Sequence, residues 1–573
     1  PPHPSVRPQS SFTSVGRPPL LLSDMAPTGL GRARAAVLLL VLMASATPAA
    51  AAAAEAASLP GEDQFPIVYV IFGPGGTPLA RAVVPRDVSC PALAALDEAS
   101  AKLLANASVE LRAEGTEDMP FAFPVRVCEV QLPRDLPANS ATLGGRPLPA
   151  ITSSPSTYAL IGDTGMRVKP KNLGTCAKLS HEKLYGIKQC AETVPFDPKL
   201  VEGHYQATAE WPLESIMDRA AEEEPDVVVH VGDYLYRQGP CAQGKGCEDI
   251  NNATDVSVPG MWGDNWHGWF ADFFEPSAAL LASAPWIVLR GNHESCGRAG
   301  HGFFMFLDPR PLPAEWTADY CIERTDMYAV PFEHEQFLVV DDNFVEDVDI
   351  DDFNYCPQTG GAVQGKALSL SRYDDKEQSK SRTGIEEEIG YFAAQFRMLE
   401  VASQSHATNF YLGHHPLLAV VCYKGQYANV DWTLQQALAA NPAVLDRVSA
   451  AITGHVHFFQ GLVFENHSLP MSLVVGNGGT LLDGIRLAES ASVDGLEAFG
   501  GSKVQRSFSA GGIFGFSAMR HAAASSGGFE LRSIQAGNSG SQPSDMWAAT
   551  FPAVRGSRRL QAATGAAPLP AWV

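Results

Sequence analysis

Five short blocks of the chain place carboxylate, amide or imidazole side chains directly after an apolar run. Gly162 and Asp163 follow residues 158–161, Gly232 and Asp233 follow 226–231, and Gly291, Asn292, His293 and Glu294 follow 286–289. Farther on, Gly413, His414 and His415 follow 410–412, and Gly454, His455, Val456 and His457 follow 448–453. Such donors hold hard or borderline cations, and a pair of these ions needs about six to eight donors including a bridging carboxylate. Asp163, Asp233, Asn292, His414, His455 and His457 supply most of that set. His455 and His457 stand two positions apart, so an extended segment points both the same way. Taken singly, a Gly-Asp pair is a turn and a histidine after a strand is a packed structural residue. Five such blocks in order, each closing an apolar run, argue for one shared cation site.

The elements that must position these residues follow from the same pattern. Beyond the Ser/Pro cluster at 153–156, apolar strand-like runs alternate with helical patterns, with helices expected at 213–223, 385–403 and 432–448. That alternation is the signature of an α/β architecture, and open α/β sheets place ligands at the carboxyl ends of their strands. Residues 55–150 carry short β-rich runs such as 67–72 and 123–130, broken by Pro and Gly, and read as a small β-rich N-terminal module. The main domain is then expected over 151–536, with a flexible tail rich in Ser, Gly, Ala and Pro over 537–573.

The chain of 573 residues has a formal net charge of −22, a field that opposes docking to nucleic acid or to acidic membranes. A site for anions must carry its own local positive charge. From Met25, a basic region with Arg32 and Arg34, an apolar run at 35–42 and small residues through Ala54 read as a signal peptide over 25–54. The apolar run is shorter than the roughly 20 residues needed to span a bilayer. Residues 1–24, lying before that Met, are expected to be untranslated leader or a disordered segment. All ten cysteines fall downstream of the signal segment, which with a secreted route implies disulfides. Pairing is not readable from sequence, but the short loops Cys241 to Cys247 and Cys296 to Cys321 are reasonable pairs. No C-x-x-C occurs, so a zinc ribbon is a poor reading. Sequons at Asn106, Asn252 and Asn466 agree with an extracellular location.

The order Gly162-Asp163-Thr164-Gly165, Gly232-Asp233-Tyr234-Leu235-Tyr236, Gly291-Asn292-His293-Glu294, Gly413-His414-His415-Pro416 and Gly454-His455-Val456-His457 resembles the signature of calcineurin-like metallophosphoesterases, particularly the purple acid phosphatase branch. The likeness spans about residues 158–480. The stretch from Trp262 to Trp286 also resembles a group of secreted phosphoesterases. This implies a four-layer fold, two mixed β-sheets packed together and flanked by helices, around a dinuclear centre. Carried over by position, Asp163, Asp233, Tyr236 and His457 would hold one ion, and Asp233, Asn292, His414 and His455 the other, with Asp233 as the bridge. Where many relatives have a histidine two residues after the first Asp, this chain has Gly165, and Tyr236 is the natural replacement ligand. A tyrosinate implies iron, with Fe, Zn or Mn as the second ion. The alternative for Tyr236 is a core aromatic that touches no metal.

Two such cations acidify a bound or bridging water until it supplies hydroxide, and they neutralise phosphate oxygens. The resemblance gives His293, which is no ligand, the role of orienting the substrate or protonating the leaving alkoxide, and makes Asp233 essential as the bridge. His415, Arg298 and His301 are candidates for phosphate contacts, the plainer alternative being solvated loop positions. The acidic run 341–352 lacks the Gly and Glu of a calcium loop and reads as a solvated loop. Gly476 to Gly479 opens no helix, so it is a weak nucleotide cradle. The expected activity is phosphomonoester hydrolysis on a small phosphorylated substrate. Alternatives are a phosphodiesterase acting on nucleotides or lipid head groups, and a non-catalytic binding protein on the same fold. Oligomeric state is not legible.

Overall fold

The computed structural model describes residues 59–116, 122–170, 203–251, 261–345, 365–369, 382–423, 425–482, 492–522, 528–536 and 544–553. The expected leader and signal segments, Cys176, Cys190, Cys356, the sequon at Asn252, residues 346–352 of the acidic run and the chain from 554 lie outside the described residues.

Two mixed sheets dominate. In the first, of ten strands, the order is Ser544–Phe551, Phe529–Gln535, Gly515–His521, Thr157–Ile161, Val227–His230, Trp286–Val288, Ile67–Gly73, Thr77–Pro85, Val125–Gln131 and Glu110–Glu114. In the second, of eight, Glu335–Val339, Thr408–Leu412, Ala450–Thr453 and Met471–Val475 run parallel at the centre. Because successive side chains of a strand point to opposite faces, each central strand must be apolar on both. Leu160, Val229 and Ile287 of the first sheet pack inward against Phe337, Phe410 and Ile452 of the second. Outward, Ile161, Val228 and Val288 meet Leu213, Ile216, Leu280 and Trp269, while Leu338, Tyr411 and Ala451 meet Phe392, Phe396 and Leu434. The result is helix, sheet, sheet, helix.

The helix expected at 213–223 spans Leu213–Glu222, and that at 385–403 spans Arg382–Ala402. The third breaks: Trp432–Ala439 stops short, Pro442 intervenes, and only the short Val444–Arg447 follows. A proline removes a helical N–H and restricts the residue before it, which ends the helix there.

Two boundaries differ from the sequence expectation. Residues 55–150 are β-rich but form no separate module. Ile67–Gly73 pairs in parallel with Trp286–Val288, so the line at 150 cuts through one continuous sheet. Arg81 fastens this part further, donating to the Phe306 and Asp308 carbonyls at 2.6 and 2.8 Å. The expected tail is likewise not all tail: Ser544–Phe551 forms the edge strand, its alternate residues Trp547, Ala549 and Phe551 buried in the core between the sheets. Cys241–Cys247 and Cys296–Cys321 are disulfides as anticipated, Cys90–Cys128 is a third, and no free cysteine occurs among the described residues. No described helix is long and apolar enough to cross a membrane.

Phe410 sits between the sheets with the rings of Phe337 and Phe529 at 4.9 and 5.0 Å. Replacing it by alanine leaves a void that the paired sheets cannot close. We expect Phe410→Ala to cost about 3–5 kcal/mol, read as a lowered denaturant midpoint; an unchanged midpoint would mean the sheets do not depend on this contact.

Candidate metal centre

The five blocks leave the carboxyl ends of five strands, three in the first sheet and two in the second, and their loops are stitched together by backbone bonds. Asp163 donates its N–H to the Gly232 carbonyl at 3.0 Å, Gly454 to that of His414 at 2.9 Å, and Thr480 to that of Asp163 at 3.0 Å. Asp163, Asp233 and His455 have positive φ of 57°, 62° and 70°. That conformation costs an L-residue roughly 1–2 kcal/mol, so the fold holds three candidate ligands in a backbone shape they would not choose alone. Glycines make the approach close enough. A Cβ on Gly291 would lie 2.1 Å from Asp233 Oδ1.

These loops bring the candidate ligands together. The Tyr236 hydroxyl lies 3.1 Å from Asp163 Oδ1, 2.5 Å from Asp233 Oδ2 and 2.9 Å from His457 Nε2. Asp163, Asp233 and His457 offer ligand atoms all within 4.8 Å of one another. On the other side of Asp233, His414 Nε2 approaches Oδ2 at 3.3 Å and the Asn292 Oδ1 at 3.1 Å. The His455 ring is 5.3 Å from that of His414, and its backbone N–H donates to the Asp163 carboxylate at 3.0 Å.

The charges explain the strain on these groups. Burial, with the charge of Asp233, pushes Asp163 up to about 6 against the pull of His414. For Asp233, burial is outweighed by His414 and His293 and by hydrogen bonds from His414 and Tyr236, which hold it well below the usual carboxylate range. His414 is raised to about 10, burial being overcome by the carboxylate of Asp233. Burial and the two carboxylates push the Tyr236 phenol well above its ordinary value; a cation at that point inverts this logic and favours the phenolate.

Whether the residues fit metal ions is tested by Asn292. Its amide oxygen faces both oxygens of Asp233, at 3.1 and 3.3 Å, and His414 Nε2, while its nitrogen faces Arg298 Nη1 at 3.2 Å. Turning the amide over would satisfy all four contacts. As oriented, electron-rich atoms converge on one point, an arrangement that a cation relieves. The donor set fits.

Other residues hold the ligands in place. Glu294 accepts four backbone N–H groups, those of Asp233 and Gly291 at 2.9 and 3.1 Å and of Tyr234 and Leu235 at 2.8 and 3.2 Å. Burial and the nearby Asp233 push its carboxyl up to about 8. Asp272 accepts the Tyr236 N–H at 2.9 Å and pairs with Arg237. Asp342 accepts the N–H groups of His414 and His415 at 2.8 and 3.2 Å, and burial raises it to about 7. Asp341 is buried against Arg290. The described start of the acidic run is therefore no solvated loop, because its carboxylates are consumed inside. Gly476–Gly479 cradles no nucleotide; it lies against Asp163, where a Cβ on Gly476 would come within 3.0 Å of Oδ2.

His293 lies with its ring 3.7 Å from that of Tyr236, and Gln238 Nε2 lies 3.1 Å from His293 Nδ1. An amide nitrogen only donates, so the ring carries its proton on Nε2. Burial, with the charges of Arg298, Arg167 and Lys169, outweighs Asp233 and keeps His293 well below its ordinary pKa. Nor are the three phosphate candidates solvated. His415 is buried, its ring 4.1 Å from that of His455. Arg298 is half-buried and reaches the Asn292 carbonyl at 3.4 Å. His301 is buried, its Nδ1 2.9 Å from Asp264 Oδ2, a partner that fixes the helix Gly300–Phe306.

The family model for calcineurin-like phosphoesterase matches residues 157–459, more than half of the chain and every candidate ligand. The chain belongs to that family. The fold is accordingly a metallophosphoesterase fold, whose members use a dinuclear metal centre. No curated protein sequence matches the chain. Among solved structures, that of PhoD aligns over 87% of this chain and 91% of its own, with 11% identity and a TM-score of 0.43. That likeness is too distant to carry anything over.

Glu294→Gln sets an NH₂ group against backbone donors that now share a carboxylate. We expect a loss of about 1–3 kcal/mol of stability together with lowered metal occupancy by elemental analysis. Full occupancy and unaltered stability would show that the loop carrying Asp233 holds itself.

Proposed function

We propose that this calcineurin-like phosphoesterase is a secreted, metal-dependent phosphomonoesterase of the acid phosphatase type. One observation carries the reading: Asp163, Asp233, Tyr236 and His457 on one side, and Asp233, Asn292, His414 and His455 on the other, share the single carboxylate of Asp233. That is the donor pattern for two cations with a bridge, and the phenol among the donors favours iron in the first position. Secretion is supported by the disulfides and by the exposure of Asn106 and Asn466 in their sequons.

Two bound cations would supply an acidified water as nucleophile and neutralise phosphoryl oxygens. The protein's own part is positional. His293, its Nε2–H fixed by Gln238, donates to the leaving oxygen of the ester and steadies the charge that forms there. Arg298 and His415 flank the same space and are proposed to contact the phosphate. His301, occupied by Asp264, supports the wall behind them. A phosphodiesterase would use the same centre; the net charge of −22 disfavours its approach to polyanionic nucleic acid.

Elemental analysis with a visible spectrum is expected to return about two metal ions per chain and an iron–tyrosinate band that Tyr236→Phe removes. p-Nitrophenyl phosphate should be cleaved faster than its bis ester across pH; hydrolysis of neither, with metals bound, would leave a binding protein. His293→Ala should keep the metals and lower kcat about a hundredfold to ten-thousandfold, and wild-type turnover in that variant would remove His293 from the reaction.

A further inference from the structure

Most buried arginines here have a carboxylate to answer them. Arg81 pairs with Glu129, Arg237 with Asp272 and Arg290 with Asp341. Arg167 is the exception. It is only 8% exposed, and among the described residues no carboxylate pairs with it. Its Nε is buried without any hydrogen-bond partner, its Nη1 lies 3.1 Å from His457 Nδ1, and its guanidinium carbon stands 6.0 Å above the Tyr236 ring. Its backbone is pinned: Arg167 N–H donates to Gln206 Oε1 at 3.1 Å, and Gln206 Nε2 to the Gly479 carbonyl at 2.9 Å. An uncompensated buried cation is expensive. Here it is held by the fold beside two candidate metal ligands, so its counter-charge must arrive from outside.

The contact with His457 points the same way. His457 Nδ1 also lies 3.0 Å from the Leu481 carbonyl. An imidazole that gives its Nε2 lone pair to a metal carries its proton on Nδ1, where the Leu481 carbonyl can accept it. Arg167 then faces a donor instead of an acceptor, and its fork of N–H groups is released toward the space beside Tyr236 and His293. Arg298 borders that space as well, and its charge is felt at the same histidine. The neighbourhood thus collects positive charge inside a strongly negative chain.

We propose that Arg167 is a specificity-determining residue that receives a non-bridging oxygen of a terminal phosphoryl group and thereby selects dianionic phosphomonoesters over monoanionic diesters. The proposal rests on the phosphomonoesterase reading above. A terminal phosphoryl group has three non-bridging oxygens, so one is left for a guanidinium after two have met cations; a diester has only two, and its second ester oxygen brings bulk without charge.

The test uses the metal-loaded protein and three readouts: metal content, calorimetric titration with inorganic phosphate, and kcat/KM for p-nitrophenyl phosphate against its bis ester. Arg167→Ala is expected to keep its metals, to bind phosphate about 10- to 100-fold more weakly, and to lose monoester kcat/KM by a similar factor while bis-ester cleavage changes far less. Unchanged phosphate affinity, an equal loss on both esters, or loss of metal would overturn the proposal, the last by showing that Arg167 only supports His457. Should the alanine variant fail to fold, Arg167→Gln decides the same point, keeping length and donors but not charge: weaker phosphate binding with metals in place supports the proposal and wild-type affinity overturns it. If the wild type, with metals bound, cleaves neither ester, the hydrolase reading falls while the phosphate titration still judges Arg167.

Discussion

Two carboxylates, Asp163 and Asp233, lie fully buried on either side of one phenolic hydroxyl. Taking even one charge out of water is costly, and setting two like charges together in a low dielectric is more so. The protein answers in part with His414, whose ring is driven toward its charged form by Asp233. One imidazolium cannot balance both acids and also satisfy the Asn292 oxygen turned toward Asp233. The deficit is what a pair of cations supplies. Much else in the structure serves to keep this unfavourable gathering from relaxing in their absence.

It is kept by rigidity beneath it. Asp163, Asp233 and Asn292 are carried by adjacent parallel strands of one sheet, and His414, His455 and His457 by adjacent parallel strands of the other. Both sheets are apolar on both faces, so neither can slide by one residue without turning its inward side chains out. The loops are locked by buried acids that accept backbone N–H groups, Glu294 beneath Asp233 and Asp342 beneath His414. A carboxylate is suited to that task because it accepts several donors at once and offers none in return.

The ligand residues were legible because they stand next to the strands that carry them, each announced by an apolar run and a glycine. The sheet cores and the long helices showed the same periodicity. What escaped was non-local. Nothing beside residue 67 reveals that its strand pairs with residues 286–288, and nothing in the polar tail marks 544–551 as an edge strand except the alternation Trp547, Ala549, Phe551. Asp342 was hidden inside an acidic run that looked solvated, and its partners are 72 and 73 residues away. Arg167 was invisible for a related reason. A lone arginine four residues after an aspartate is ordinary in sequence; only the fold shows that it is buried and unanswered.

The exchange of one ligand for another is also a matter of geometry. A Cβ on Gly165 would lie 2.6 Å from the Tyr234 carbonyl oxygen, 2.7 Å from the Tyr236 nitrogen and 2.9 Å from Asp272 Oδ2. No real Cβ comes that close to backbone, so a side chain at 165 and the present path of residues 234–236 exclude each other. That path is what delivers the Tyr236 hydroxyl to Asp163, Asp233 and His457, and Asp272 secures it by accepting the Tyr236 N–H and the N–H of Met166. A histidine at 165 would therefore have to displace the loop bearing the phenol before it could offer its own ring. Glycine at one position and tyrosine at the other are a single structural choice. The bare glycine makes room for the loop, and the loop supplies the donor that the glycine cannot.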